Sequence, residues 1–280
     1  MPIQEEFKAY LAQVGYSEST RINQQRHLTN FFNYLQKPVE KIRKVDIQKF
    51  NEYLQTKPNK MHGGALSEST IYGNMATLKV FFNWLETNQT IEYNPISALK
   101  LKKPNTKIRT PLTTEEIKEL FDTANTLLEI AMLHLCYSCG LRRAEAASLN
   151  TKDIHFTTQM LYVREGKGKK RRAVPITQKV SLALENYLIC ERPQTDEKES
   201  FIINRRGKRM DGYSYNVAIK KLKARTTITR EVSPHYLRHS IATHLLASGV
   251  SLENVRQFLG HSHLETTQIY TKVNLRSYEL

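Results

Sequence analysis

Between Lys100 and Pro111 the chain reads KLKKPNTKIRTP, and no regular element threads through it. The stretch holds two prolines, no acid to offset its cations and no helical spacing of apolar residues, so residues 100–111 read as an interdomain linker. A linker there divides the 280 residues into segments 1–99 and 112–280, each of ordinary domain size. The two sides differ in period. Upstream, Leu28, Phe31, Phe32 and Leu35, then Ile47, Phe50 and Leu54, then Ile71, Met75, Leu78, Phe82 and Leu85 recur at helical spacing with few β-branched runs. That pattern predicts a small helical bundle.

The upstream segment also repeats itself. Ser17-Glu18-Ser19-Thr20 followed by Phe31-Phe32-Asn33-Tyr34-Leu35 recurs fifty residues later as Ser67-Glu68-Ser69-Thr70 followed by Phe81-Phe82-Asn83-Trp84-Leu85. A serine N-cap opening each helix and an aromatic cluster on its buried face predict two equivalent long helices. Two copies are too few for a solenoid.

Downstream, Thr113 with Glu116 forms a capping box ahead of Ile117, Leu120 and Phe121. Leu127 to Cys139 is mostly apolar and ends at Gly140, which predicts one central buried helix with a glycine C-cap. The period then shortens: Ile154 and Phe156, Met160 and Tyr162, and Arg172, Val174 and Ile176 alternate across turn-like gaps, predicting a small antiparallel sheet. Helical patterns return over 178–191, 213–225, 234–248, 251–259 and 263–270. The expected fold class is mainly α, with a helical bundle followed by a mostly helical domain that carries one small sheet.

Charge narrows the function. Lys and Arg number 42 against 27 Asp and Glu, a net +15, divided near residue 103 as about +5 and +10. A basic tail would load one end, whereas this spread suits two domains that both touch one polyanion. An enzyme that is merely basic stays open on charge alone. No apolar run approaches the ~20 residues of a membrane span, and MPIQEEFKAY lacks the features of a secretory signal, so a reducing compartment is expected. The three cysteines argue against a disulfide framework, and Cys136 and Cys139 read as core thiols of an apolar helix.

Four stretches carry candidate chemistry. Arg164 to Arg172, REGKGKKRR, places six cations and one acid between two strands, as a hairpin tip that enters a nucleic-acid groove would. In CGLRRAE, Arg142 follows a helix-ending glycine and Glu145 lies one turn on, able to orient a guanidinium. Five of nine histidines, His235, His239, His244, His261 and His263, fall within twenty-nine residues. Zinc is disfavoured: HYLRH carries Tyr236 where a zincin needs glutamate, and Arg238 would repel a dication. An anion fits better, with His235 and Arg238 at i and i+3 behind Ser233 as N-cap and Pro234 at the first helical position. His261 follows Gly260, and nine residues on stands Tyr270, a phenol that neighbouring cations would activate.

Arg142 in GLRRAE, Lys167 in GKGKKRRAVP, His235 and Arg238 in HYLR, His261 in LGHS and Tyr270 in TTQIYT stand in the order found in tyrosine recombinases. The chain resembles the Xer-type and integrase-like members, most strongly over residues 110–272; the first hundred residues fit mainly in size and helical pattern. The resemblance implies a helical, SAM-like core-binding domain over 1–99 and a catalytic domain over 112–280. It implies that Tyr270 attacks a DNA phosphate to form a 3′-phosphotyrosyl link and free a 5′-hydroxyl, with no metal, ATP or other cofactor. Arg142 and Arg238 would clamp the phosphate, Lys167 would protonate the leaving oxygen, His235 would take the tyrosyl proton and His261 would bond the phosphate. Glu145 would hold Arg142 or His235, and Arg164, Lys169, Lys170, Arg171 and Arg172 would bind DNA. The implied partners are double-stranded DNA with specific recombination sites and a homo-tetramer on two such sites, or a related recombinase, joined through a Holliday junction. No membrane is implied; the implied setting is the cytoplasm, at the nucleoid, in a prokaryote or mobile element. Only ten residues follow Tyr270, whereas Xer-type relatives often carry a longer terminal helix that docks on a neighbouring subunit. Either a short helix on Val273, Leu275 and Leu280 serves here, or assembly uses other surfaces. Two alternatives stay open: a type IB topoisomerase-like nicking and closing enzyme, and a DNA-binding regulator without catalysis.

Overall fold

The computed structural model describes residues 2–59, 63–105, 110–164 and 171–260. The chain divides into two compact units, Met1–Lys107 and Ile108–Leu280.

In the first unit, α1 (Pro2–Gln13), α2 (Glu18–Leu35), α3 (Lys44–Thr56) and α4 (Glu68–Thr87) enclose one aromatic core. The sequence repeat has a structural counterpart. Ser17 Oγ accepts the Thr20 backbone N–H at 3.3 Å and Ser67 Oγ accepts that of Thr70 at 3.2 Å, so one cap starts both α2 and α4. Each helix then turns its phenylalanine pair into the same space: Phe32 meets Phe81 edge-on at 5.8 Å, and Phe31 meets Phe82 at 6.2 Å. Phe50 of α3 and Phe7 of α1 close the cluster at 4.9 Å from Phe31 and 5.1 Å from Phe81.

The second unit is helical around a three-stranded antiparallel sheet. The Thr113–Glu116 capping box forms as expected and opens α5 (Thr114–Thr123). β1 (Ile154–His155), β2 (Met160–Val163) and β3 (Arg172–Pro175) lie in that order, with Leu161 opposite both Ile154 and Val174. In β2 it is Leu161 and Val163 that face the core, while Tyr162 is 40% exposed. The remaining helices are α6 (Leu127–Leu133), α7 (Arg143–Ser148), α8 (Gln178–Asn186), α9 (Gly212–Lys223), α10 (Pro234–Ala247) and α11 (Leu252–Leu259). No helix among the described residues is long and apolar enough to cross a membrane.

Two expected helices change character, and the one expected over 178–191 turns π-helical over Tyr187–Glu191. The apolar run from Leu127 is α-helical only to Leu133 and then widens into a π-helical turn over His134–Ser138, where the Cys139 N–H reaches back five residues to His134 O at 2.8 Å. His134 Nδ1 and Ser138 Oγ, 2.9 Å apart, bridge the widened turn. Cys136 and Cys139 are fully buried core thiols, and burial pushes both up to about 12, far from the thiolate range.

The run ends at Gly140, whose φ of +58° and close approach to α11 both require glycine. A Cβ there would stand 2.7 Å from Leu259 Cδ2 and 3.1 Å from Phe258 Cε1. Gly140→Ala is therefore expected to destabilise the unit by about 2 kcal/mol or more, from left-handed strain and overpacking together. Calorimetry should show the melting point falling by about 5 °C or more; an unchanged melting point would mean that α11 shifts freely.

Candidate active site

Arg142 caps α7, and Glu145, three residues on, turns back over the helix start: its Oε2 accepts the Arg142 backbone N–H at 2.9 Å, and its Oε1 accepts Arg142 Nη1 at 2.7 Å. Two further guanidinium groups from distant sequence converge on this carboxylate. Arg172, from β3, forks onto both oxygens at 3.1 and 2.8 Å. Arg238, from α10, lies 3.8 Å from Oε2. Burial alone would raise the Glu145 carboxyl, but Arg172 first and Arg142 second overcome it and hold the group down at about 2. One buried anion thus organises three cations.

The same arginines close a second set of contacts, at the C-terminal end of α11. A helix leaves its last carbonyls unpaired and carries a partial negative charge there. Arg172 Nε donates to Phe258 O at 3.0 Å, Arg238 Nη2 to Leu259 O at 2.6 Å and Arg142 Nη2 to Gly260 O at 3.2 Å. Arg238 Nη1 also donates to Gly140 O. Three successive carbonyls receive three different arginines, immediately ahead of the segment that carries His261 and Tyr270.

The predicted residues separate accordingly. Arg142, Glu145 and Arg238 come together. Arg172, expected to bind DNA on the hairpin, is instead turned inward with only 9% of its side chain exposed, because Glu145 and Phe258 O offer it partners that water would otherwise supply. Arg164 pairs with the buried Asp153 and stays half exposed, and Arg171 is exposed. Lys167, Lys169, Lys170, His261 and Tyr270 lie outside the described residues.

His235 is exposed at the start of α10 and opens on a recess of about 460 Å³ also lined by Arg143, Lys220, Lys223 and Arg230, with Glu231 the one acid among the described residues of its lining. Pro234 takes the first helical position as expected, but the Ser233 side chain makes no capping bond. Sequence reasoning missed this cationic lining, although KKLKARTTITR over 220–230 carries its signal. His244 is structural: its ring bonds Tyr137 Oη at 2.8 Å and Leu112 O at 2.9 Å, while the Leu112 N–H donates to Ser240 Oγ at 2.8 Å. Burial lowers the His244 pKa, which suits a neutral ring between those partners.

Residues 110–276 match the phage integrase family, and residues 4–89 match the phage integrase N-terminal SAM-like domain. A tyrosine recombinase of Thermosipho africanus is 34% identical over 273 residues, covering 96% of this chain and 94% of that protein. The chain belongs to the phage integrase family of tyrosine recombinases.

Further relatives of this tyrosine recombinase agree. The tyrosine recombinase XerC of Thermodesulfovibrio yellowstonii is 33% identical over 91% of this chain and 94% of its own length. Among solved structures, the XerA recombinase is 26% identical, with a TM-score of 0.57 over 99% of this chain and 96% of that one. A lambda integrase dimer bound to a COC′ core site shares the fold at a TM-score of 0.75 and 18% identity, covering 100% of this recombinase and 96% of that chain.

Proposed function

We propose that this recombinase cuts and rejoins DNA strands at specific sites through a 3′-phosphotyrosyl intermediate, with Tyr270 as nucleophile. One arrangement above all supports the reading: Arg142 and Arg238, gathered by buried Glu145, hold the chain at Gly260 and Leu259, ten and eleven residues before Tyr270. In the proposed step the Tyr270 oxygen attacks phosphorus as its proton passes to His235. The bond to the 5′-oxygen breaks, and Lys167 protonates the leaving oxygen. Arg142 and Arg238 stabilise the charge that develops on the non-bridging oxygens, and His261 bonds one of them. One phosphodiester replaces another, so a 5′-hydroxyl from a second duplex can reverse the step with no ATP.

Double-stranded DNA is the proposed substrate, consistent with a net charge of +15 spread over both units. The lambda integrase relatives were solved as a dimer on a core site and as a tetramer on a Holliday junction. By analogy, this enzyme works as a homo-tetramer on two sites, or with a related recombinase, on DNA in the cytoplasm. Arg164, Lys169, Lys170 and Arg171 are the proposed DNA contacts of the hairpin.

The test is a pool of nicked duplexes, randomised in sequence, incubated with the enzyme and a chelator in the absence of ATP. A protein–DNA adduct that survives denaturant, with the DNA joined at a 3′-phosphate, is expected. Binding with no adduct on any sequence would make the chain a regulator, and relaxation of supercoiled plasmid without paired sites would make it a nicking and closing enzyme.

A further inference from the structure

The run REGKGKKRR presents its cations as equals, and the structure shows that its last member is not one of the set. Arg164 remains 52% exposed, whereas the Arg172 side chain is 9% exposed and directs Nη1, Nη2 and Nε into the protein. Its stem fills a definite space: a Cβ at residue 260 would stand 2.8 Å from Arg172 Cδ, and Gly260 has a φ of +66°. The close approach of β3 to the end of α11 is therefore built on this one side chain against a glycine.

From these contacts we infer that Arg172 is a positioning residue of the recombinase, acting through Glu145 and the α11 end to set how Arg142 is presented. The inference rests on the strand-transfer reading above. Glu145 has two oxygens and three guanidinium neighbours: Arg142, Arg172 and Arg238. Arg172 takes both oxygens in a fork, the geometry in which a guanidinium binds a carboxylate most strongly. Arg142 is then left with a single Nη1 contact to Oε1, and its side chain keeps 22% exposure. Were Arg172 absent, the buried carboxylate would draw the Arg142 fork further inward, away from a phosphate arriving from solvent. The Phe258 carbonyl would at the same time lose its donor at the end of the helix that leads to Tyr270.

This role separates from DNA contact by experiment. Single-turnover adduct formation by the full chain is measured on nicked DNA that the wild type cleaves, for Arg172→Gln and Arg172→Lys. At saturating DNA the rate is expected to fall roughly 10- to 100-fold, as for other residues that orient a reacting group. The half-saturating DNA concentration and the slope of log affinity against log salt should match the wild type. Lysine is expected not to restore the rate, since it keeps the charge and the stem but lacks the fork. Adding Arg172→Gln to Glu145→Gln should cost little beyond Glu145→Gln alone. Should the glutamine variant melt too low to assay, the lysine variant decides. A wild-type rate in Arg172→Lys, fully additive losses in the double variant, or a salt slope smaller by about one with weakened binding would overturn the inference, the last by making Arg172 a phosphate contact. Absence of any adduct from the wild type would instead overturn the strand-transfer reading, and this inference with it.

Discussion

Tyr270→Phe is expected to abolish the covalent adduct completely while leaving DNA affinity within about twofold, because the substitution removes one oxygen and keeps the ring. No other group is proposed to substitute for it. The chain has fourteen tyrosines, and the structure disqualifies the buried ones in the catalytic unit. Tyr215 is fully buried, donates its hydroxyl to Met132 O at 3.1 Å and has its pKa pushed well up by that burial. Tyr187 accepts the Ile203 N–H at 3.3 Å and is raised for the same reason. Tyr137, half-buried, is committed to His244. A raised pKa makes a phenol a poorer source of phenolate at neutral pH. The informative controls are therefore Tyr278→Phe, in the same terminal segment, and Tyr213→Phe, since Tyr213 is 69% exposed on α9. Both should keep the adduct at wild-type level. Peptide mapping after nuclease digestion should find the nucleotide on the peptide that contains Tyr270; an undiminished adduct in Tyr270→Phe would move the nucleophile elsewhere.

What the sequence made legible were local signals. Ser17, Ser67 and the Thr113–Glu116 pair announce helix starts through bonds that span three residues, and all three caps form. The sheet was legible as a change of period, yet its inward face was not. Val163 is as buried as Ile154, and only the packing of the unit decides that Tyr162 faces out. The first helix was legible as well, since Ile3, Phe7, Tyr10 and Leu11 recur at helical spacing, but it was not singled out. The π-helical turn at His134–Ser138 breaks the rule by which a periodic apolar run is read as one α-helix.

The candidate site divides along the same line. Arg142 and Glu145 are three residues apart, so their pairing could be anticipated. The Glu145–Arg172 fork joins residues 27 apart, and Arg142 reaches a carbonyl 118 residues away. No periodicity reports such contacts, which is why Arg172 looked like one more hairpin cation. The histidine cluster divides for the complementary reason. Its members stand close in sequence, but His244, which was not among the candidate site residues, fastens α10 to the chain at Leu112, 132 residues upstream, while His235 faces the cationic recess. The family was legible because motif order survives even where geometry is invisible.

Arg238→Lys should slow adduct formation by roughly 10²–10³-fold, the cost of losing one preorganised donor to a developing oxyanion. Charge is kept in this variant, so the loss measures geometry. The guanidinium spans two carbonyls, Gly140 O and Leu259 O, while standing 3.8 Å from Glu145, in a position only 4% exposed. A lysine ammonium is compact, and satisfying one carbonyl leaves the other unpaired in the interior at about 1–3 kcal/mol. The same substitution therefore loosens the junction between Gly140 and the α11 end, and the melting point should fall as well. Leu184→Ala supplies the control that separates the two effects. Leu184 is fully buried in α8 and belongs to the common core of the unit, so its truncation lowers stability by about 2–5 kcal/mol without touching the arginines. With both variants assayed well below their melting points and at saturating DNA, Leu184→Ala should cleave at close to the wild-type rate. Equal rates in the two variants would assign Arg238 to folding alone, and a wild-type rate in Arg238→Lys would remove it from the phosphate clamp.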